Sequence, residues 1–538
     1  MKPAELPKTL PEDVRADKTR PFTGAEYLQS LRDGREIYIY GDRVDDVTTH
    51  PAFRNSAASM ARIYDALHDP AHKDALCCPT DTGNNGYTHK FFRFARSVQE
   101  LREQRDAIAG WSRLSYGWMG RTPDYKAAFG IALGIVPEYY GPFEDNARLW
   151  YKRIQESCLF LNHAIVNPPI DRDKPVEEVK DVFISVDRET DAGIYVSGAK
   201  VVATGSALTH YNFIGQGSAG LLGDNTDMAL MFIAGMDVPG VKLICRPSYE
   251  LAAGAMGSPF DYPLSSRFDE NDAILVFDNA FIPWENVLIY RDLERCRSWF
   301  PQGGFGRLFP MQACTRFAVK LDFICGLLVK ALKCTGTLEF RGVQAAVGEI
   351  FAWRNMFWSL TEAMVGNADS WHNGSWTPCQ AAQHSYRVLS SQAYPAIKKS
   401  IEEIVASGLI YLPSGSRDIR NPTIDAYLAK YVRGSGGIDH VERIKILKLL
   451  WDAIGSEFGG RHELYEINYA GSHDEVRMQC LRHAQGSGTL GKMTELVDQC
   501  LSDYDQDGWR VPHLHNNHDL NVLDRLRDQY ASGQSRSG

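Results

Sequence analysis

The chain has 538 residues, more than a single hydrophobic core usually supports, so two or three domains are expected. Apolar residues make up 44% of the chain and charged residues 23%, which is typical of a globular enzyme. The formal net charge is −9 and Lys and Arg are scattered, which argues against a nucleic acid as the partner.

We expect a cytoplasmic protein that does not cross a membrane. The first residues are charged and rich in proline, unlike a signal peptide, and no stretch approaches the roughly 20 apolar residues of a membrane span. Eleven cysteines occur without a C-x-x-C pair, a pattern that indicates reduced thiols in a cytosol.

The N-terminal part is predicted to be helical after a loose arm. Residues 1–20 are dominated by Pro, Lys, Glu and Asp and are expected to form that arm. Over residues 21–157 apolar residues recur three and four apart, which predicts a helical domain with Thr23 as a helix cap. One amphipathic helix is predicted to run through residues 100–120 towards Arg121.

The apolar pattern then changes to that of strands and later returns to that of helices. Residues 158–286 alternate apolar and polar positions, with a hairpin turn at Asp187–Gly193, and are predicted to form a β domain. Residues 287–538 contain four long helical segments, typical of an antiparallel bundle that is buried further by oligomerisation. The predicted fold class is mainly α with a central β domain.

A glycine motif at residues 215–220 reads G-Q-G-S-A-G and fits the dinucleotide-binding pattern G-x-G-x-x-G. That fingerprint needs a strand before it and a helix after it, whereas the sequence that follows indicates a loop and then a strand. We therefore predict a flexible loop, of the kind that often covers an active site, and no nicotinamide site.

Two motifs near the helix-to-strand border carry candidate site residues. Pro123 disfavours helical geometry at Thr122, so Arg121 and Tyr125 are expected to project from a turn where a helix ends. Arg121 either forms a salt bridge at that terminus or faces a cavity with Tyr125, as a pair suited to an anionic oxygen. His163 lies in an apolar run and is either a core residue or a catalyst at a cleft.

Two C-terminal motifs are weaker indicators. Residues 459–462 place two glycines before an arginine, and a close backbone approach beside an arginine suits a phosphate. The three histidines of residues 513–518 lack Cys or Glu at ligand spacing, so we expect a loop there and no metal site.

Several long segments resemble a known family. They are SRLSYGWMGRTPDYKAAFG, NHAIVNPPIDR, GAKVVATGSALTHYN, GSPFDYPLSSRFDENDAILV, PWENVLIYRD and GSEFGGRHELYEINY. They are similar to the oxygenase component of the two-component 4-hydroxyphenylacetate 3-monooxygenases, over about residues 20–525. The resemblance implies an acyl-CoA-dehydrogenase-like fold with an N-terminal helical domain, a middle β-barrel-like domain and a C-terminal bundle that builds a homotetramer.

The resemblance also implies a reaction. Family members take FADH2 from a separate NAD(P)H:flavin reductase and use O2 to form a flavin C4a-hydroperoxide. This oxidant adds an ortho hydroxyl to 4-hydroxyphenylacetate and gives 3,4-dihydroxyphenylacetate. A division of labour with a reductase would explain why the chain has no nicotinamide motif.

Site residues follow from the same resemblance. The implied catalytic residues are Arg121, Tyr125 and His163, with His163 accepting the phenol's proton and Arg121 stabilising the oxyanion. These three residues and Ser218, Ala219 and Gly220 are expected to bind the substrate. Flavin contacts are expected at His163, Ala164, Ile165, Pro169, Ile170, Asp171, Arg172, Thr204, Gly459, Gly460, Arg461 and His462, and no metal is expected.

Some alternatives stay open. Gln216, Gly220 and Ala470 stand where the family resemblance leads us to expect Phe, Gln and Ser, so tyrosine, coumarate or a simple phenol could be the substrate. A CoA-ester dehydratase or dehydrogenase of the same fold is a further alternative. The N-terminal helices lack a C-x-x-x-C pair to hold the dehydratase's iron–sulfur cluster, and the resemblance supplies no catalytic Glu for a dehydrogenase.

Overall fold

The computed structural model describes residues 10–171, 173–216, 222–514 and 522–534. The described residues up to His473 form one compact unit, and those from Asp474 onward form a second. The first unit begins with six helices: α1 (Gly24–Ser30), α2 (Arg54–Asp65), α3 (Lys73–Leu76), α4 (Val98–Arg113), α5 (Pro123–Ile135) and α6 (Glu144–Ser157). Thr23 caps α1, as predicted, by accepting a hydrogen bond from the Glu26 N–H.

Residues 10–20 are attached to the body of the protein. Arg15 is buried and donates to the Glu156 carbonyl at 2.7 Å. Glu12 pairs with Arg153 at 2.6 Å and accepts from the Tyr211 hydroxyl at 2.8 Å. The expectation of a loose arm is therefore wrong for residues 10–20, because composition does not reveal partners so distant in sequence. Residues 1–9 lie outside the described residues.

The link between α4 and α5 also differs from the prediction. Helix α4 already ends at Arg113, and a φ of +76° at Gly117 shows that the chain turns before residue 120, where the helix was predicted to end. Thr122 is extended, as predicted, but Pro123 begins a helix there. Proline suits the first helical position because its φ is already helical and its missing N–H is not needed. Tyr125 therefore lies in the first turn of α5.

Ten of the first twelve strands form two larger sheets, and the remaining two, residues 77–79 and 87–89, pair in a separate two-stranded sheet. The strands are β1 (Glu36–Ile39), β2 (Asp42–Val44), β3 (Cys77–Pro79), β4 (Tyr87–His89), β5 (Leu161–Ala164), β6 (Ser185–Thr190), β7 (Gly193–Thr204), β8 (Tyr211–Ile214), β9 (Leu230–Gly235), β10 (Val241–Cys245), β11 (Asp272–Pro283) and β12 (Val287–Tyr290). A six-stranded sheet has the order β2-β1-β10-β11-β7-β6, and a four-stranded sheet has the order β12-β9-β8-β5. The hairpin predicted near Asp187–Gly193 is confirmed as β6–β7.

Helices return after the sheets. They are α8 (Leu293–Gln302), α9 (Phe305–Thr335), α10 (Arg341–Gly366), α11 (Gln380–Val405), α12 (Ser416–Arg420), α13 (Pro422–Tyr431), α14 (His440–Ile454) and α15 (Glu457–Asn468). One earlier helix, α7 (Tyr249–Met256), lies between β10 and β11. A short hairpin between α10 and α11 pairs β13 (Asp369–Ser370) with β14 (Trp376–Thr377). Helix α9 packs against α4, α5, α10, α11 and α14, which explains its apolar residues on every face.

The predicted fold class, mainly α with a central β domain, is confirmed. The pattern changes to strands at β5 and back to helices at α8, but the domain boundaries at residues 157 and 286 stay a prediction. The second unit contains α16 (His473–Gly486), α17 (Thr489–Ser502), β15 (Tyr504–Asp505), β16 (Gly508–Trp509) and α18 (Val522–Gln534). Within the described ranges, no helix is both long and apolar enough to cross a membrane.

Candidate active site

Arg121 is held firmly at its backbone, while its guanidinium lacks a full set of partners. The Glu270 carboxylate accepts hydrogen bonds from the N–H groups of Gly120, at 2.9 Å, and Arg121, at 2.6 Å. The Arg121 residue is 6% exposed, yet its Nε and Nη1 atoms have no hydrogen-bond partner among the described residues. Buried N–H groups are normally satisfied, so this guanidinium is suited to bind an anion.

Three tyrosine rings surround the guanidinium carbon of Arg121. The distance to the ring centroid is 4.1 Å for Tyr125 and 5.2 Å for both Tyr465 and Tyr469. The hydroxyls of Tyr465 and Tyr469 have no partner in the part of the chain that the structure describes. Burial raises the pKa of both, that of Tyr469 to about 12, so both hydroxyls stay protonated and can donate to an anion.

His163 lies in the same cluster. Strand β5 places it opposite Phe213 of the parallel strand β8, and its ring centroid is 5.5 Å from that of Tyr125. Burial lowers the pKa of His163 well below its ordinary value, and electrostatic interaction with the basic groups of Lys126 and Arg121 lowers it further. The structure therefore brings the three predicted catalytic residues together around a neutral imidazole.

Lys126 is a site residue that the motif analysis missed. Its Nζ atom lies 2.9 Å from Nδ1 of His163, and the residue is fully buried. A signal was present in the sequence, because Lys126 is the only Lys or Arg in the otherwise largely apolar stretch of residues 123–135. Every residue of α5 except Gly134 is buried, so a lysine there had to find a buried partner.

An aromatic wall packs beside His163. The ring centroid of Phe129 lies 5.4 Å from that of His163 and 3.9 Å from that of Phe305. Trp299 is nearly parallel to Phe305 at 5.8 Å, and Phe213 lies 4.5 Å from Phe129. These rings come from α5, β8 and the α8–α9 region, so no local motif could have grouped them. They exclude water from one side of the histidine.

The predicted flavin contacts after β5 differ in burial. Ala164 is buried and Ile165 is half-buried, whereas Pro169, Ile170 and Asp171 are exposed on a loop. Arg172 lies outside the described residues. The loop is anchored by Lys200, whose Nζ donates to the Asn167 side chain at 2.7 Å. A surface loop of this kind is open to a large ligand.

Asp272 joins two other predicted flavin contacts. Its carboxylate accepts from Arg461 through Nη2, at 2.9 Å, and Nε, at 3.1 Å, and from the Thr204 hydroxyl at 2.5 Å. Burial alone would raise the pKa of Asp272, but the charge and hydrogen bonds of Arg461 hold it well below its usual range. Asp272 thus balances the Arg461 charge through Nε and Nη2, whereas Nη1 of Arg461 has no hydrogen-bond partner among the described residues, so the flavin contact expected there stays a prediction.

The glycines of α15 have different surroundings. A Cβ at Gly459 would lie 2.7 Å from the Ile454 carbonyl carbon, so helix packing requires a glycine here. A Cβ at Gly460 would meet nothing within 4 Å in the described structure, which leaves room for a ligand. His462 is 1% exposed and packs edge-on against Trp118, with ring centroids 5.0 Å apart. It is part of the core beside the site.

Comparison with known proteins identifies the family. Residues 23–289 match the family model described as 4-hydroxyphenylacetate 3-hydroxylase N terminal, and residues 296–498 match the model described as its C terminal. The chain belongs to the 4-hydroxyphenylacetate 3-hydroxylase family. The match includes every element that positions the cluster of Arg121, Tyr125 and His163.

Individual relatives in the 4-hydroxyphenylacetate 3-hydroxylase family are similar over nearly their whole length. The chain is 77% identical to a 4-hydroxyphenylacetate 3-monooxygenase oxygenase component of Pseudomonas aeruginosa, covering 96% of this chain and 99% of the relative. It is 54% identical to the oxygenase component of a 4-nitrophenol 2-monooxygenase of Rhodococcus sp, covering 96% and 97%. A crystal structure of a 4-hydroxyphenylacetate 3-monooxygenase oxygenase component, complexed with FAD and 4-hydroxyphenylacetate, superposes with a TM-score of 0.83 at 28% identity, covering 89% and 99%.

Some of the site residues predicted from the sequence lie outside the part of the chain that the structure describes. Ser218, Ala219 and Gly220 lie outside the described residues, as do His515 and His518. Gln216 is buried and donates to the Met228 carbonyl at 3.1 Å, and the Ala470 carbonyl accepts from Arg387 at 2.8 Å. In the described part of the chain, no group of three or more His, Cys, Asp or Glu residues could hold a metal ion.

Proposed function

We propose that the chain is the oxygenase component of a two-component 4-hydroxyphenylacetate 3-monooxygenase. It uses reduced FAD and O2 to add an ortho hydroxyl to 4-hydroxyphenylacetate, which gives 3,4-dihydroxyphenylacetate. Close relatives of known name and the complexed crystal structure support this activity. The observation that carries the proposal is the buried Arg121 guanidinium with two unpartnered nitrogen atoms, next to Tyr125 and His163.

The roles of these residues follow from the chemistry of a phenol. A phenolate is far more electron-rich at the ortho carbon than a phenol, but the pKa of a free phenol is about 10. Arg121 lowers the pKa of the bound phenol by binding the oxyanion, because its N–H groups without partners lie in a water-poor site. His163 takes the phenol's proton, and Tyr125 donates to the oxyanion or orients the oxidant.

The residues present fit a bound flavin. Gly460 leaves open space at the start of α15, the loop at Pro169–Asp171 is exposed, and the backbone of Ala164 and Ile165 borders His163. These segments and Thr204 would hold the cofactor. When bound, reduced FAD reacts with O2 and supplies the oxygen atom that is transferred. The surrounding aromatic rings keep water away, which limits loss of that oxygen as hydrogen peroxide.

A separate NAD(P)H:flavin reductase supplies the FADH2 in this proposal. Gly215 and Gln216 follow strand β8, and the next regular strand is β9, so the described residues there show no helix of a nicotinamide site. A homotetramer is proposed as the assembly, supported by apolar side chains at the surface, such as Ile410 at 83% exposure. A cytoplasmic location is supported by the eleven cysteines, all of which are free thiols.

Product analysis tests the proposal. The purified chain is mixed with enzymatically reduced FAD, air and 4-hydroxyphenylacetate, with and without catalase. Formation of 3,4-dihydroxyphenylacetate above a protein-free control is expected. Hydrogen peroxide without catechol would contradict the substrate but not the flavin chemistry, whereas neither product above the control would refute a monooxygenase.

A second candidate function is the same chemistry on another para-substituted phenol. Ala470 and Gln216 differ from the residues expected by resemblance, and the Rhodococcus relative acts, by its name, on 4-nitrophenol. A panel of tyrosine, coumarate, 4-nitrophenol and phenol, compared by the ratio of catechol to peroxide, separates the two candidates. The dehydratase alternative predicts protein-bound iron, which an iron assay would detect.

A further inference from the structure

Two buried basic groups share the site without a counter-ion of their own. As far as the described residues show, no carboxylate lies within salt-bridge distance of the Arg121 guanidinium or of Lys126 Nζ. Glu270 and Asp272 are the acidic groups that act on Lys126, and both are engaged, by backbone N–H groups and by Arg461. A second positive charge is therefore strongly disfavoured until an anion enters.

Lys126 has one hydrogen-bond partner for its amine among the described residues, which is Nδ1 of His163 at 2.9 Å. Burial lowers the pKa of Lys126 well below its ordinary value, and the charge of Arg121 lowers it further. A neutral amine can accept a hydrogen bond from Nδ1–H. In that tautomer Nε2 of His163 carries a lone pair, and Nε2 has no partner in the described structure.

We propose that His163 and Lys126 form a two-residue proton relay in which Lys126 is the final acceptor of the phenol's proton. The inference rests on the proposed function. The phenol O–H bond breaks as an N–H bond forms at Nε2 of His163, while the Nδ1–H bond breaks as a new N–H bond forms at Lys126 Nζ. The products are a phenolate, a neutral imidazole and an ammonium group, so atoms and charge balance.

The relay couples the charge of the substrate to the charge of the protein. The phenolate supplies the anion that Lys126 needs in order to be protonated, and the ammonium group stabilises the phenolate in return. After transfer, Nε2–H of His163 donates to the phenolate oxygen and Arg121 binds it as well. Lys126 touches no substrate in this scheme and acts only through His163, so it is a positioning residue.

Anaerobic binding of 4-hydroxyphenylacetate to the protein with reduced FAD tests the relay without turnover. The ultraviolet difference spectrum reports the ionised fraction of the bound phenol. Calorimetry in two buffers with different heats of ionisation reports the protons released. The wild-type protein is expected to ionise the phenol near pH 7 and to release almost no proton. Lys126→Met is expected to raise the pH at which half of the bound phenol is ionised by at least one unit, which is a tenfold decrease in its ionisation constant. This variant is also expected to release about one proton where the phenol ionises.

Lys126→Gln is the matched control, because its amide can donate to Nδ1 but cannot accept a proton. The relay predicts that it behaves like Lys126→Met. Wild-type behaviour of Lys126→Gln would overturn the relay in favour of a purely orienting role, and wild-type behaviour of Lys126→Met would overturn any role in ionisation. If the wild-type protein binds no phenol, the proposed function fails and the relay fails with it. Thermal midpoints of both variants establish that they fold.

Discussion

Replacing Arg121 by methionine should stabilise the protein while it slows hydroxylation strongly. Two buried N–H groups without partners cost about 1–3 kcal/mol each, so removing them gains about 2–6 kcal/mol. The lost contacts with three tyrosine rings cost about 0.5–1 kcal/mol each, and more where the cation is desolvated. At the middle of each range, with about 4 kcal/mol gained and about 2 kcal/mol lost, the expected net gain is about 2 kcal/mol. Oxyanion donors contribute a factor of about 10²–10³ to rate, so product formation should fall by that factor.

The assay compares thermal midpoints at one scan rate. A chain of 538 residues unfolds with an entropy of about 1.1 kcal/mol per degree, so the midpoint should rise by about 1–2 °C. Arg105→Met is the control, because Arg105 is also 6% exposed but pairs with Asp106 at 2.7 Å and Glu362 at 2.6 Å. Its midpoint should fall. If Arg121→Met lowers the midpoint as much as Arg105→Met does, the guanidinium is structurally satisfied and the reasoning is refuted.

Three further outcomes are expected. Asp272→Asn should lower the thermal midpoint, because it leaves the buried Arg461 without its carboxylate. Because the pKa of Asp272 is held below its usual range, the difference in midpoint between the wild-type protein and Asp272→Asn should be full above about pH 4 and shrink below it. A difference that stays constant with pH would contradict this. Gly459→Ala should lower the midpoint, whereas Gly460→Ala should fold normally and bind reduced FAD more weakly in an anaerobic titration; equal midpoints would count against the packing role of Gly459. Burial lowers the pKa of Lys200 to about 7, so only the unfolded chain binds that proton between pH 7 and pH 10 and stability should rise over this range. Lys200→Met should make that rise smaller in a pH series of midpoints, because Lys126 and Lys320, whose pKa values burial also lowers, still contribute to it. An unchanged slope would show that Lys200 does not contribute.

The regular elements could be predicted because burial imposes a period on the sequence. The long helices α9, α10 and α14 and the β6–β7 hairpin lie where the apolar spacing placed them, whereas α11 begins at Gln380, before the predicted segment of residues 393–408. The errors fall where tertiary partners decide the structure. Arg15 is ordered by the Glu156 carbonyl, and the Arg121 backbone before α5 is held by Glu270, which lies 149 positions away. Neither partner leaves a trace in the local pattern.

The residues of the candidate site could be predicted from the sequence less completely than the helices and strands. Spacing alone left Arg121 and His163 with two interpretations each, and the family resemblance was needed to choose between them. Lys126 could have been found, since a lysine in the buried helix α5 needs a buried partner. Asp272 could not, because it lies 189 positions from Arg461 and is one of many acidic residues. Long-range pairing of this kind has no sequence period.

Helix α15 gives engineering of this protein a clear constraint. Arg461 and Tyr465 stand one turn apart on it, and the Tyr465 ring lies 4.9 Å from the Arg461 guanidinium and 5.2 Å from that of Arg121. A displacement of this single helix would therefore disturb the surroundings of Arg461 and Arg121 together. A substitution on the buried face of α15 is therefore expected to alter the surroundings of both guanidinium groups at once.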